Sequence, residues 1–200
     1  MPADANLSGH DIVVIGASAG GVEALGEIVA ELPGDLVASI FVVLHIPPSG
    51  TSVLPAILMR RGELPASHAV DGEEIRHGHI YIAPPDHHLF LQSESVRVVR
   101  GPKENGYRPA IDPLFRSAAH SFGPRVVGVV LSGALDDGTA GLAVIKEAGG
   151  CTLVQDPVEA LYPNMPSSAI ECVTPDRVLR ARELGHAIVD LATDAFVETT

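Results

Sequence analysis

Ser18, His45 and the pair Asp136-Asp137 are the residues whose types and positions could do chemistry together. Nucleophilic acyl transfer needs a hydroxyl to attack, an imidazole to take its proton, and a carboxylate to orient the imidazole and stabilise its cation. Ser18 lies in Gly16-Ala17-Ser18-Ala19-Gly20-Gly21. These small residues separate an apolar β-branched run, 12–15, from a helical pattern of Val22, Leu25, Ile28, Val29 and Leu32. Gly-x-Ser-x-Gly between strand and helix is the pattern of a nucleophile elbow, in which a sharp turn exposes the serine and the helix N-terminus offers N–H groups to an oxyanion. Two other readings fit the same stretch. A dinucleotide-binding turn, Gly-x-Gly-x-x-Gly, would carry Ser18 at its middle glycine and wants an acid at the end of the next strand, where this chain has His45. Ser18 could also simply cap the helix, and Asp136 or Asp137 could cap the helix that starts near Gly138.

Other clusters point to less. His77-x-His79 and Asp86-His87-His88 carry metal donors, but no cysteine or His-Glu-x-x-His helix accompanies them. They read as surface histidines, and no metal or cofactor is assigned. Adjacent carboxylates, as in Glu73-Glu74 and Asp136-Asp137, point in different directions on a regular element, which argues against a shared-proton dyad. Arg60-Arg61 and Arg97, Arg100 and Lys103 read as solvated surface.

The elements that must position the three residue types follow from periodicity. Residues 12–15, 37–44, 125–131 and 151–154 are apolar, β-branched runs that read as buried strands. Helical spacing recurs after Thr51 or Ser52 (either a cap), over 111–122, over 140–148, within 159–172, and after Asp176 through Leu184, Ile188, Leu191 and Phe196. Residues 67–70, 79–83, 88–91 and 96–99 are short strand-like pieces split by Gly72, Gly78, Pro84-Pro85 and Ser93-Glu94-Ser95. Their close spacing suggests hairpins, so 66–100 reads as an antiparallel insertion or extension of the main sheet. The fold expected is α/β: a doubly wound, mainly parallel, Rossmann-like sheet with an antiparallel hairpin extension. Sites in such sheets lie beyond the C-terminal strand ends. Ser18, His45 and Asp136-Asp137 each follow a strand, so neighbouring strands would bring them together.

The 200 residues suit one domain, 11–200, after a loose lead-in, 1–10. A net charge of −12 repels nucleic acid and anionic membranes, and 4% aromatics without Trp leaves few platforms for stacking bases. Cys151 and Cys172 show no disulfide or Cys-x-x-Cys pattern, which suits a reducing cytoplasm. No basic-then-apolar leader is evident, and no apolar run reaches the roughly 20 residues of a membrane span.

Six separated stretches carry a resemblance: residues 16–25, Leu44-His45-Ile46-Pro47-Pro48, residues 80–88, residues 108–115, Asp137-Gly138-Thr139-Ala140-Gly141, and Met165-Pro166. From about Asp11 to about Leu191 the chain resembles the catalytic domain of the chemotaxis protein-glutamate methylesterases, the CheB family. The resemblance implies a doubly wound α/β fold and hydrolysis of glutamyl methyl esters on the cytoplasmic domain of methyl-accepting chemoreceptors, with deamidation of receptor glutamines in some members. It implies catalytic roles for Ser18 and His45, and for Asp137 rather than Asp136. Members with a receiver domain usually have Thr where this chain has Ala19, and Gly-Met-Gly-x-Asp-Gly where it has Gly133-Ala134-Leu135-Asp136-Asp137-Gly138. With about ten residues before the first strand, the chain resembles stand-alone members without a built-in receiver domain. The expected location is cytoplasmic, and no cofactor is expected.

Overall fold

The structure is a computed structural model that describes residues 9–47 and 52–193. Residues 1–8 of the lead-in, Pro48 and Thr51 of the loop after His45, and Phe196 of the terminal helix lie outside the described residues. Seven strands form one sheet in which every pair is parallel: β1 (Ile12–Ala17), β2 (Ser39–Leu44), β3 (Ala66–His68), β4 (His79–Ile82), β7 (Val126–Val130), β8 (Cys151–Gln155) and β9 (Arg177–Leu179). Their order is β3-β4-β2-β1-β7-β8-β9. Every residue of β1, β2 and β7 is buried, which is why these segments read as continuous apolar runs rather than alternating ones.

Helices cover both faces. Val13, Ile15 and Ala17 of β1 pack with α1 (Gly21–Val29), α2 (Leu54–Arg61) and α6 (Ala181–Thr193). Ile12 and Val14 belong to the opposite layer, with α3 (Ile111–Phe122), α4 (Thr139–Glu147), α5 (Asn164–Val173) and a hairpin of β5 (His88–Leu91) and β6 (Val96–Val99). The order reverses at β1, with β2 on one side and β7 on the other. That reversal opens a crevice at the C-terminal strand ends.

Two expectations need correction. Residues 66–100 are not an antiparallel block: β3 and β4 join the main sheet in parallel. Gly72 and Gly78 look like tight hairpin turns in sequence. Instead the 69–78 connection leans on the hairpin, through Gly72 N–H to Val96 O and Ile75 N–H to Glu94 O, and returns the chain to the start of β4. Among the described strands only β5 and β6 pair antiparallel, and they form a separate two-stranded sheet. At α2 the N-cap is Val53, with no side-chain cap; Ser52 Oγ accepts a long 3.5 Å bond from Leu54 N.

Phe41 shows what holds the hairpin-side layer. It is fully buried in β2 and stacks on Tyr81 of β4, ring centroids 5.1 Å apart. Phe41→Ala should lower unfolding free energy by about 3–5 kcal/mol in urea titrations followed by far-UV circular dichroism. Val158→Ala, at a side chain 92% exposed, should leave the midpoint in place.

Candidate active site

Register brings the site together. Ala17 pairs with Leu44, and Gly16 with both Val43 and Val130, so the three central strands end level. Hydrogen bonding continues past those ends: His45 N–H to Ala17 O at 3.0 Å, Leu131 N–H to Gly16 O at 2.9 Å, and Ser18 N–H to Ser132 O at 3.0 Å. Ser18, His45 and Ser132 therefore emerge side by side.

The turn at Ser18 is held from below. Ser18 O accepts the N–H of Gly21 at 2.9 Å. Ser132 Oγ donates to Ala19 O at 2.8 Å and accepts Tyr162 N–H at 2.9 Å, while Ser132 N–H is held by Gln155 Oε1. Gly20 has φ 73, and a Cβ there would lie 2.7 Å from Ser132 Oγ and 2.8 Å from Leu161 Cβ. Gly133 is just as confined: a Cβ would press on Met165 Sδ and lie 2.8 Å from Ser18 Cβ. The two glycines let a second loop lie directly against the serine.

Ser18 does not cap a helix. Gly20 is the N-cap of α1, without a side-chain cap bond, and Ser18 Oγ lies 3.1 Å from His45 Nδ1. The other ring nitrogen, His45 Nε2, lies 2.8 Å from Asp137 Oδ2. With Nε2–H donating to the carboxylate, Nδ1 keeps a lone pair for the Ser18 hydroxyl proton. Asp137 is buried and does not cap α4, since Gly138 is the N-cap of that helix and makes no side-chain cap bond. Asp136 is exposed, and its carbonyl accepts Thr139 N–H. The pair left open by spacing is thus separated by geometry: Asp137 meets His45 and Asp136 faces solvent.

Sequence reasoning missed how Asp137 is held. Its Oδ2 accepts Ile111 N–H at 2.7 Å as well as His45, and its Oδ1 accepts Asn105 Nδ2–H at 2.8 Å and Asp112 N–H at 3.2 Å. Ile111 and Asp112 open α3, so the carboxylate sits on a helix N-terminus. Burial alone would raise the Asp137 pKa, but the bonds from His45, Ile111 and Asn105 outweigh it and hold the group below the ordinary carboxylate value. Asp112 goes the other way: burial, reinforced by the Asp137 charge, pushes it up against the bonds from Gly141 N–H and Asn105. Tyr107, also missed, lies flat on His45, with ring centroids 3.6 Å apart and planes within 5°. The signals were present in Asn105-Gly106, a turn dipeptide, and in Asp112 of the first helical turn.

A cavity of about 750 Å³ opens over Ser18 and His45. Ala19, Val22, Ile46, Lys103 and Tyr107 are among its walls. The N–H groups of Ala19 and Gly20 have no acceptor among the described residues, and they follow the serine directly. The N–H of Gly133, on the loop beside the serine, is already bound to Tyr162 O at 2.9 Å. The histidines of the two clusters have partners of their own: His77 with Asp11, His79 with Ser67, His87 with Pro85 O, and His88 with Pro102 O.

A doubly wound, parallel α/β sheet thus carries serine, histidine and aspartate hydrogen-bonded in series at its switch point. Comparison with known proteins narrows the class. The family described as CheB methylesterase matches residues 13–188. The protein-glutamate methylesterase/protein-glutamine glutaminase 2 of Anaeromyxobacter dehalogenans is 40% identical over 189 residues, 94% of this chain and 55% of that protein. The protein of the same name from Pseudomonas aeruginosa is 36% identical over 190 residues, 93% of this chain and 54% of that one. The chain thus spans about half the length of these two relatives. The crystal structure of the Thermotoga maritima CheB methylesterase catalytic domain superposes with a TM-score of 0.88 at 36% identity, covering 90% of this chain and 98% of that one. This chain belongs to the CheB methylesterase family.

The Asp137 environment ties stability to pH. Its folded pKa is below the ordinary 3.8, so its contribution is fully present above that value and is lost as pH falls through the folded pKa. The stability gap between the unaltered protein and Asp137→Asn, measured by urea unfolding, should therefore be constant from pH 7 to about 5 and shrink as pH drops below about 4.

Proposed function

We propose that this domain, 11–200, hydrolyses glutamyl methyl esters on the cytoplasmic part of chemoreceptors, with Ser18 as nucleophile, His45 as general base and acid, and Asp137 as the orienting carboxylate. The hydrogen-bonded series from Ser18 Oγ through both ring nitrogens of His45 to Asp137 carries this reading. Family membership and the names of the relatives support the substrate class.

Ser18 Oγ attacks the ester carbonyl carbon as its proton passes to His45 Nδ1. The imidazolium then donates through Nε2–H to Asp137, whose negative charge stabilises it without taking the proton. The tetrahedral oxyanion forms beside the N–H groups of Ala19 and Gly20 at the start of α1, where the helix dipole adds to the two donors. Collapse breaks the C–O bond to methanol, and His45 returns the proton to the departing oxygen. Water, activated by the same nitrogen, attacks the acyl-serine and releases the glutamate carboxylate. A primary amide could enter the same cycle with ammonia leaving, and the glutaminase activity in the relatives' names supports that second substrate. The chemistry draws on no metal or cofactor. No helix among the described residues is long and apolar enough to cross a membrane. We place the domain in the cytoplasm, where the receptor's methylated segment lies.

Ser18→Ala should abolish methanol release from methylated receptor membranes and labelling by an organophosphonate, while far-UV circular dichroism stays unchanged; undiminished turnover refutes the serine mechanism. Asp137→Asn should lower kcat by about 10⁴, the size seen when an orienting aspartate is lost. Asp136→Asn should stay within about threefold, as for an exposed side chain outside the relay. Equal effects at the two positions contradict the assignment.

A further inference from the structure

The turn of residues 104–107 lies over the relay and belongs to none of its three strands. Glu104 N–H bonds Tyr107 O at 3.1 Å, and Tyr107 N–H bonds Glu104 O at 2.8 Å. Between them Asn105 and Gly106 have φ 51 and 82, the paired positive values of a tight two-residue turn that favours Asn-Gly. Arg116 of α3 holds Glu104 from outside. The turn therefore delivers two side chains in fixed directions. Tyr107 lies against the imidazole face at 3.6 Å, and Asn105 Nδ2 bridges Asp137 Oδ1 and Asp112 Oδ2, each at 2.8 Å.

Each contact answers a mechanical need. His45 is tethered at its two nitrogens, both in the ring plane, so rocking of the ring about the line between them is resisted only by the side-chain torsions. A flat aromatic face stops that rotation. Its negative π face also attracts the imidazolium formed during the reaction. Asp137 and Asp112 are two buried carboxylates. A neutral amide that donates to both separates them without adding charge, and Asp112 is anchored in turn by Gly141 N–H at 2.7 Å. A lysine there would neutralise Asp137 and weaken its hold on the imidazolium.

We propose that the 104–107 turn is a positioning clamp on the catalytic relay, with Tyr107 holding His45 by its face and Asn105 holding Asp137 by its side. The proposal rests on the hydrolytic reading above. Neither residue hydrogen-bonds Ser18 or exchanges a proton in the reaction. The groups facing His45 are Ser18, Asp137 and Tyr107, and the charged residues around the cavity are Glu23, Lys103 and Arg108, the last paired with Asp86.

The test uses the full chain, methylated receptor membranes, and organophosphonate titration of Ser18 to count active sites. Tyr107→Leu should lower kcat per labelled site about tenfold and move the acid limb of kcat/KM to lower pH, because the cationic ring loses its π face. Tyr107→Phe keeps the face and should recover most of the rate and the position of the limb. Asn105→Gly keeps the positive-φ turn but drops the amide. It should lower kcat per site and move the limb to higher pH, since Asp137, short of one donor, attracts the imidazolium more strongly. Opposite shifts from two neighbours in one turn are not what general loosening produces. If kcat per labelled site is unchanged, or falls with the limb fixed in both variants, the clamp is refuted and the turn is only structural. If the unaltered protein neither labels at Ser18 nor hydrolyses the ester, the hydrolytic reading fails first and the clamp falls with it.

Discussion

A carboxylate with almost no exposure to solvent must find donors in the protein or lose its charge. Asp137 is 1% exposed and finds four: a ring nitrogen, a side-chain amide and two backbone N–H groups. Much of the fold around the site serves that requirement. Helix α3 begins where it does because Pro113 suits a first turn and the N–H groups of Ile111 and Asp112 need an acceptor, which the carboxylate provides. Asp112 then takes the N–H of Gly141, so the first turns of α3 and α4 are joined through a pair of acids. Two helix N-termini, each with a positive dipole end, compensate the charge that His45 needs beside it.

The second constraint is the level ending of β1, β2 and β7. In a parallel sheet, hydrogen bonding can run beyond the last strand residue, and here it does, through Ser18 to Ser132 and His45 to Ala17. Nucleophile and base are therefore fixed by backbone register. Only Asp137 arrives on a longer loop, and it has the most bonds. Precision at the site is distributed accordingly: rigid strands place two members, and a dense set of donors places the third.

This division also explains what could be read in advance. The strands carrying Ser18 and His45 were legible because a buried parallel strand is a continuous apolar run. The strand-end rule then joined residues far apart in the chain. Asp137 could be separated from Asp136 only by a resemblance, since neighbouring acids on a loop look alike until one is seen buried. The parallel pairing of β3 and β4 was illegible because short strands with glycines between them have the same local pattern whether the chain turns back at once or first returns to the other end of the sheet. Asn105 and Tyr107 announced a turn but not a target. What they touch depends on a loop packing across the sheet end, a contact that no local periodicity encodes.

The departures from receiver-bearing relatives can now be judged by geometry. Leu135 stands where the resemblance implies glycine in receiver-bearing members, and it keeps φ 65, a conformation open to glycine. For leucine that backbone costs roughly 1–2 kcal/mol. Its side chain is 60% exposed, so the strain is not relieved by burial. The loop nevertheless delivers Asp137 to His45 at 2.8 Å. The 133–138 path is therefore imposed by its ends, with Gly133 wedged between Ser18 and Met165 and Asp137 bound to the N-terminus of α3. Ala19 differs in kind. It is exposed and lines the cavity beside the nucleophile, and it contributes only a methyl group where a hydroxyl could have met substrate. The change at Leu135 bears on stability, whereas the change at Ala19 bears on what the cavity can recognise.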